Sequence, residues 1–428
     1  MLRKKPLTYI TKWRGDAEKT MRLLLLTPQL PYPPHQGTSL RNFNLIAQLA
    51  KRHLVCLLTF LEPDQSLDNA RPLLDICEWV DSVPVPRRGS ILRLRQMLTT
   101  RQPDMAWRLW SPAFRDRLAM RLEETSFDVV QIEGIELTPY LPTILDVYGA
   151  AKTPRPRPLI VYEDHNAEWV LQKRACLTDL RTPLRWPAAA YSFAQWLRLK
   201  SYEADVCRQA DRVIAVSEAD RDAILAIAPE IDITIVPNGV DLAEHTGYDG
   251  PVQPFDLVFT GKMDFRPNVD AMLWMGREVW PIIRQHRPQT SLAIVGQRPH
   301  PRLDLLQEVP GITITGWVAD VRPYIAGATV YVAPLRVGGG TRLKLLQAMA
   351  MSSPIVATSL GAEGFPVTHG HELLLADTAE DFAQAVLTLL DHPEQRIQLG
   401  KAAYRFAQAT YGWDALVPKL EALYQDKP

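Results

Sequence analysis

A set of short apolar runs that do not alternate with polar residues limits the fold most. RLLLLT (22–27), LVCLLTF (54–60), DVVQIE (128–133), LIVYE (159–163), RVIAVS (212–217) and ITIVPN (233–238) form one series. DLVFTG (256–261), SLAIVG (291–296), ITITG (312–316), TVYVAPL (329–335), PIVATS (354–359) and ELLLA (372–376) form a second. A strand with one wet face alternates; a strand buried on both faces does not. The gaps leave room for crossover helices. The pattern therefore predicts an α/β protein with two doubly wound, Rossmann-like parallel sheets covered by helices. Several runs end in Gly, Pro, Asn or Ser, where loops begin at the carboxyl edge of a sheet. Open α/β sheets bind their ligands at that edge.

The break between the series falls at NGVDLAEHTGYDGPVQPF (238–255), rich in Gly, Pro and Asp as turns and linkers are. This predicts a first domain over 21–248 and a second over 249–408, facing it across a cleft. A C-terminal segment, 409–428, carries the amphipathic helix WDALVPKLEALYQ (413–425), which can return to the first domain. Residues 1–20 are basic and lack the apolar core of a signal peptide, so a disordered extension is expected there.

Composition excludes several classes. The 428 residues carry no formal net charge, so no global field recruits nucleic acid. Cys56, Cys77, Cys176 and Cys207 form no CxxC pair and read as buried thiols of a reducing compartment. No apolar run approaches the ~20 residues of a membrane helix. A cytoplasmic location is expected. Two stretches are locally basic. Residues 87–121 hold nine arginines against two aspartates, and residues 167–200 hold six Lys/Arg against two acids, both with interspersed tryptophans.

The stretch VGGGTRLKLLQAM (337–349) follows an apolar run and places two cations in the first turn of a helix. The macrodipole opposes cations there, so a negative ligand is the natural partner. Gly339 and Gly340 let backbone N–H groups approach it, and the helix beginning near Thr341 offers unpaired N–H groups. Offsets of four and seven put Gly340, Lys344 and Gln347 on one face. Arg342 is a second cation in the first turn. The alternative is a plain Gly-rich turn feeding a surface helix with solvated cations. A Walker loop is absent, and the first run leads into TPQLPYPPHQGTS rather than GxGxxG, so hydride transfer lacks its usual support.

Read in order, several stretches point to one family: PYPPHQGTSLRNFNLIAQLAKR, EDHNAEW, ADRVIAVSEADRDAI, VPNGVDL, FTGKMDFRPNVDAMLW, and GWVADVRPYIAGATVYVAPLRVGGGTRLKLLQAMAMSSPIVATSLGAEGF. Over roughly residues 21–425 the chain resembles a group 1, family 4-like retaining glycosyltransferase of the GT-B fold. The resemblance implies that the anion is the diphosphate of a nucleotide-sugar donor. It implies contact of His165 with the donor sugar, and of Gly37, Lys262, Arg342 and Lys344 with the phosphates. It places Trp317 and Val318 beside the base, and Gln347 on the ribose hydroxyls. Gly339, Gly340, Thr341 and Glu363 border the donor, Glu363 alternatively capping a following helix. The family usually carries two glutamates eight positions apart here; Gly339 and Gln347 stand in their places.

The implied reaction is sugar transfer with retention at the anomeric carbon to a glycan, a lipid-linked glycan or a small molecule. No metal or other cofactor is expected. The basic, tryptophan-bearing stretches allow peripheral contact with an anionic membrane; the alternative is solvated helices with core tryptophans. Two rival readings remain open: another GT-B enzyme such as a nucleotide-sugar epimerase, and a non-catalytic descendant that binds sugar nucleotides.

Overall fold

The computed structural model describes residues 20–34, 37–89, 93, 95–96, 99–149, 156–180, 183–338 and 343–426. The expected extension over 1–20 lies, but for Thr20, outside these residues. The chain divides into two compact units, Met1–Pro237 with Val417–Pro428, and Asn238–Leu416. The Gly/Pro/Asp-rich stretch 238–255 thus belongs to the second unit.

The first unit holds a seven-stranded sheet in the order β3-β2-β1-β4-β5-β6-β7, every pair parallel. Its strands are β1 (Arg22–Thr27), β2 (Leu54–Leu61), β3 (Trp79–Pro84), β4 (Val129–Glu133), β5 (Leu159–Asp164), β6 (Arg212–Ala215) and β7 (Ile233–Ile235). Every residue of β4 and β5 is buried, as unalternating runs require. The strand that the apolar pattern does not reveal is β3, WVDSVP, an edge strand. Asp81 within it is held by Arg117 Nη1 at 2.6 Å and Arg121 Nη2 at 2.8 Å, both from the helix Pro112–Glu124. An edge strand carries such a charge more readily than a central one, because its partners can come from outside the sheet.

The second unit holds a six-stranded parallel sheet in the order β10-β9-β8-β11-β12-β13. These are β8 (Phe255–Thr260), β9 (Leu292–Val295), β10 (Ile312–Gly316), β11 (Ala328–Ala333), β12 (Ile355–Ala357) and β13 (Leu374–Leu375). Leu257 and Phe259 enter the hydrophobic core on one face, and Val258 enters the core on the other. A strand between two cores has no polar face to show, and this is why the run reads as continuous.

Five of the helices carry or support the candidate site residues: α1 (Gly37–Leu49), α2 (Glu168–Leu180), α3 (Trp186–Gln209), α4 (Leu343–Ala350) and α5 (Trp413–Gln425). The end of α5 packs on the first unit, where Glu421 accepts from Arg52 Nη1 at 2.8 Å and Tyr424 donates its hydroxyl to Gln131.

The second sheet depends on a backbone contact between strand ends. A Cβ on Gly296, after β9, would lie 1.6 Å from the carbonyl oxygen of Gly261, after β8. Gly296→Ala should therefore destabilise the second unit by about 3 kcal/mol or more, because two backbones must part. Gly370→Ala, at a φ of +81° but facing open space, should lose only about 1 kcal/mol. Chemical denaturation of the two variants checks the contrast; equal losses would show that the strand ends separate freely.

Candidate active site

The carboxyl ends of β1, β4 and β5 meet at one edge of the first sheet and surround a cavity of about 410 Å³. Thr38 on α1, Glu62 after β2, Gly134 after β4 and Asp164–His165 after β5 line it. Gly134 is left-handed at φ +86°, and a Cβ there would crowd Glu136 Oε2 at 2.9 Å. The left-handed backbone of this turn favours glycine.

His165 sits on a buried charge network. Its Nε2 lies 2.8 Å from Glu133 Oε2 and 3.5 Å from Glu163 Oε1. Arg41 Nε of α1 pairs with Glu163, while its two terminal nitrogens donate to the Val236 and Pro237 carbonyls at 2.8 Å. Gln131 Nε2 donates to Glu133 at 2.6 Å and to Glu163 at 2.9 Å. Burial opposes the positive imidazole, but the hydrogen bonds and charges of Glu133 and Glu163 outweigh it and push His165 up to about 10. Burial likewise opposes a charged Glu163, yet Arg41 and His165 hold its carboxyl down at about 2. Glu133 shifts upward, through burial and then the charge of Glu163. At neutral pH His165 is therefore an imidazolium. It can donate a hydrogen bond to a ligand oxygen; it cannot take a proton.

Glu133, Glu163 and His165 bring three ligand atoms within 4.8 Å of one another, spacing that suits a metal ion. A cation there would displace the proton on Nε2 and compete with Arg41 for Glu163.

A second acidic layer lies beneath. Asp164 is 1% exposed and shifts well upward through burial and the charge of Glu203. Burial raises Glu203 to about 7, although its oxygens accept the Glu168 and Trp169 N–H groups at 3.1 and 3.0 Å. These bonds cap the first turn of α2 from α3. Burial, with the charges of Asp164 and Glu136, pushes Glu168 up to about 8.

In the second unit Lys344 lies at the start of α4. Its Nζ donates to Asn268 Oδ1 at 2.6 Å and stands 4.4 Å from the centroid of the Phe259 ring. Asn268 Nδ2 donates to the Lys262 carbonyl at 2.8 Å. A Cβ on Gly261 would meet Lys344 Nζ at 2.7 Å, so the glycine admits the ammonium to the end of β8. Lys262 is half-exposed, its Nζ 3.7 Å from Asp264. Gln347 lies one turn beyond Lys344, partly exposed.

The remaining expected residues are more dispersed. Gly37 opens α1 beside Thr38 of the first cavity. Trp317 is exposed just after β10, and Val318 packs on the core of the second unit. Glu363 is exposed in a turn, and the next element is the strand β13 rather than a helix, so it caps none. Gly339, Gly340, Thr341 and Arg342 lie outside the described residues. The larger cavity near Trp274, Arg336 and Asp377, about 570 Å³, is lined by none of the expected residues.

The sequence reading missed Arg41, Gln131, Glu133, Glu163, Asn268 and Tyr424. A signal existed for three of them. Gln131 and Glu133 share one face of the otherwise apolar run DVVQIE, and Glu163 ends another such run. Polar groups inside a buried strand need partners.

Comparison with known proteins agrees with this arrangement. The profile "Glycosyl transferases group 1" matches residues 254–392, and "Glycosyltransferase Family 4" matches residues 36–244. The chain belongs to the group 1 glycosyltransferases. Among curated relatives, a D-inositol 3-phosphate glycosyltransferase of Kineococcus radiotolerans is 25% identical over 257 residues, covering 52% of this chain and 59% of its own. A phosphatidyl-myo-inositol mannosyltransferase of Propionibacterium freudenreichii is 23% identical, covering 52% and 61%. The chain thus spans about three-fifths of the length of such relatives. Among solved structures, Anabaena HepE, crystallised with UDP and glucose, superposes with a TM-score of 0.63 at 15% identity, covering 95% of this chain and 100% of its own. A sucrose-phosphate synthase from Thermosynechococcus elongatus gives 0.60 at 17% identity, with 95% and 98% covered. The chain therefore has the GT-B fold, with its two Rossmann-like units.

The raised acids of the first unit make a pH prediction. The folded state holds a proton on Glu203 up to about pH 7, whereas the unfolded chain releases it near 4.5. Stability contributed by this group should thus be present at low pH and fall as pH rises through that window. Glu203→Gln should flatten the fall by about one proton, or ~1.4 kcal/mol per pH unit. Urea denaturation of the first unit at several pH values measures it, and equal slopes in the two proteins would refute the shared-proton account.

Proposed function

We propose that this protein moves a sugar from a nucleoside-diphosphate-sugar donor to a hydroxyl acceptor, with retention at the anomeric carbon. The observation that carries the reading is the held imidazolium of His165 at the sheet edge, with Lys344 set at the Gly261 turn in the other unit. The departing diphosphate gains charge in the transition state. Lys344 is its preorganised cation, supported by Asn268, with Lys262 and Arg342 as further candidates. Gln347 offers a neutral hydrogen bond to ribose hydroxyls, weaker than the family's usual carboxylate. His165 donates to a sugar oxygen and steadies developing charge. Because it is already protonated, it is not the base; the leaving phosphate can receive the acceptor proton. No metal is assigned a step. Release of free nucleotide without an acceptor would favour the epimerase rival, and donor binding without turnover the non-catalytic one.

Under this reading His165→Ala should lower turnover by roughly 10²-fold, and His165→Gln, which retains a donor, should recover part of it. Lys344→Ala should weaken nucleoside diphosphate binding about 10- to 100-fold. A panel of nucleotide sugars followed by thermal stabilisation, then by steady-state transfer, supplies both readouts. Unchanged turnover in His165→Ala with intact donor binding would reject its role.

A lipid-linked acceptor at a membrane surface is the finer part of the proposal. The helices α2 and α3 expose Leu177, Leu180, Phe193 and Leu197; Leu184 between them is 94% exposed, and Trp186 at the start of α3 is 59% exposed. Lys173, Arg174, Arg185 and Lys200 stand on the same hairpin. An apolar patch rimmed by cations suits an anionic bilayer, each cation near such a surface contributing about 1 kcal/mol. Trp107 and Trp110 instead pack with each other and with Tyr140, so only the second basic stretch offers a tryptophan to lipid. The full chain should co-sediment with anionic liposomes in a salt-sensitive way, and the Leu184→Ser, Trp186→Ser double variant should lose most of that binding. Binding to neither anionic nor neutral liposomes, or self-association through this patch instead, would overturn the membrane contact.

A further inference from the structure

The last helix reaches the charge network of His165 from beneath. From Val417 onward α5 belongs to the first unit, and Tyr424 in its final turn is 2% exposed. The helix end is fastened on both sides of this residue. Glu421 accepts from Arg52 Nη1 at 2.8 Å and lies 3.1 Å from His53 Nε2. Arg212 Nη2 donates to the Asp426 carbonyl at 2.8 Å and to its carboxylate at 3.0 Å. These contacts set where the phenol ring enters the core.

The Tyr424 hydroxyl donates to Oε1 of Gln131, 293 positions away in sequence. Burial, then the charges of Glu133 and Glu163, hold the phenol well above its usual range, so it keeps the proton it donates. Gln131 is 1% exposed. Its Nε2 donates to Glu133 at 2.6 Å and to Glu163 at 2.9 Å. The amide has one workable orientation, because a flip would set its oxygen against two carboxylates and its nitrogen against a hydroxyl proton. Glu133 then uses one oxygen for Gln131 and the other for His165. If the first bond is lost, the carboxylate can turn, and the acceptor under the imidazole turns with it.

We propose that Tyr424 is a positioning residue for sugar transfer, holding the imidazole of His165 at the sheet edge through Gln131 and Glu133. The inference rests on the glycosyltransferase reading given above. Bonds in such a chain polarise one another, so the phenol hydroxyl strengthens both donations from Gln131 Nε2. Without the hydroxyl, Gln131 Oε1 is a buried acceptor with no donor. The amide relieves this only by turning, and turning gives up a carboxylate. His165 keeps its place in the chain but loses its fixed support, and a misplaced group costs the transition state more than it costs ground-state binding.

The test uses the full chain. Tyr424→Phe keeps the ring and the packing of α5 and removes one bond. With isotope-labelled histidine, the Nε2–H proton of His165 is identified by its absence from His165→Ala. In Tyr424→Phe this proton should move to higher field and exchange with water about 10-fold faster. An unmoved resonance overturns the proposal. Turnover is read as nucleoside diphosphate released from the nucleotide sugar that best stabilises the chain, with glycerol as the hydroxyl acceptor. Tyr424→Phe should lower kcat about 10-fold and leave the donor KM unchanged. Gln131→Leu should also lower kcat, and the double variant should fall no further than Gln131→Leu alone, because the hydroxyl then has no amide to act on. A loss confined to KM, or losses that multiply in the double variant, overturns the proposal. If Tyr424→Phe does not fold, the double variant, which has no unmet amide oxygen, is compared with Gln131→Leu in the same way. A wild-type chain that releases no nucleoside diphosphate from any nucleotide sugar sinks the transferase reading alone, and the Nε2–H resonance still decides whether Tyr424 holds His165.

Discussion

The guanidinium of Arg41, 3% exposed, sets the electrostatics of the first unit. Desolvating such a group costs several kcal/mol unless it is fully partnered. It is partnered by Glu163 at the end of β5 and by the carbonyls of Val236 and Pro237 beyond β7. One side chain of α1 thus ties three parts of the unit. The consequence runs outward. A Glu163 kept ionised by Arg41 favours the charged form of His165, and His165 with Gln131 completes the bonding of Glu133. Removing Arg41 would leave Glu163 to share His165 with Glu133, which the buried site can accommodate only by taking up a proton. The character of His165 as donor rather than base is therefore decided one residue layer beneath the cavity.

Most of the architecture was legible because burial on both faces leaves a mark on composition. All twelve apolar runs contain strands, and the helix over 413–425 appears where amphipathic spacing put it. The edge strand β3 escaped because Asp81 and Ser82 interrupt it, and the partners that make Asp81 tolerable come from a helix more than thirty residues later. The site was legible in outline only. Lys344 could be singled out because it follows a glycine-rich turn into a helix, and His165 through the family-like stretch EDHNAEW. Their partners could not, since Glu133, Arg41 and Asn268 are joined to them by the sheet order and by crossovers, not by spacing. A residue whose role is to hold another is invisible to local pattern unless its polarity is out of place. Gln131 and Glu133 are out of place in that way.

In the second unit backbone shape does the work that charge does in the first. Gly296 lies against Gly261, and Gly261 in turn leaves room for Lys344. A side chain at Gly261 would push the ammonium from the end of β8, and one at Gly296 would displace Gly261 itself. Asn268 then fixes Lys344 and the Lys262 carbonyl with one amide, its oxygen to the former and its nitrogen to the latter. The amide oxygen of Asn268 holds the ammonium without neutralising it. A carboxylate in that position would have held the lysine as firmly, but it would also have neutralised it and repelled a phosphate.

The first unit separates its charges by sign across a short distance. Carboxylates gather about His165, with Asp164, Glu168 and Glu203 all shifted upward by burial and by one another. Arginines gather beyond Arg108. Crowded acids that hold protons near neutrality offer both donors and acceptors, which suits hydroxyl groups. A ligand that brings a hydroxyl to His165 meets acids able both to donate and to accept, beside an imidazolium that can only donate.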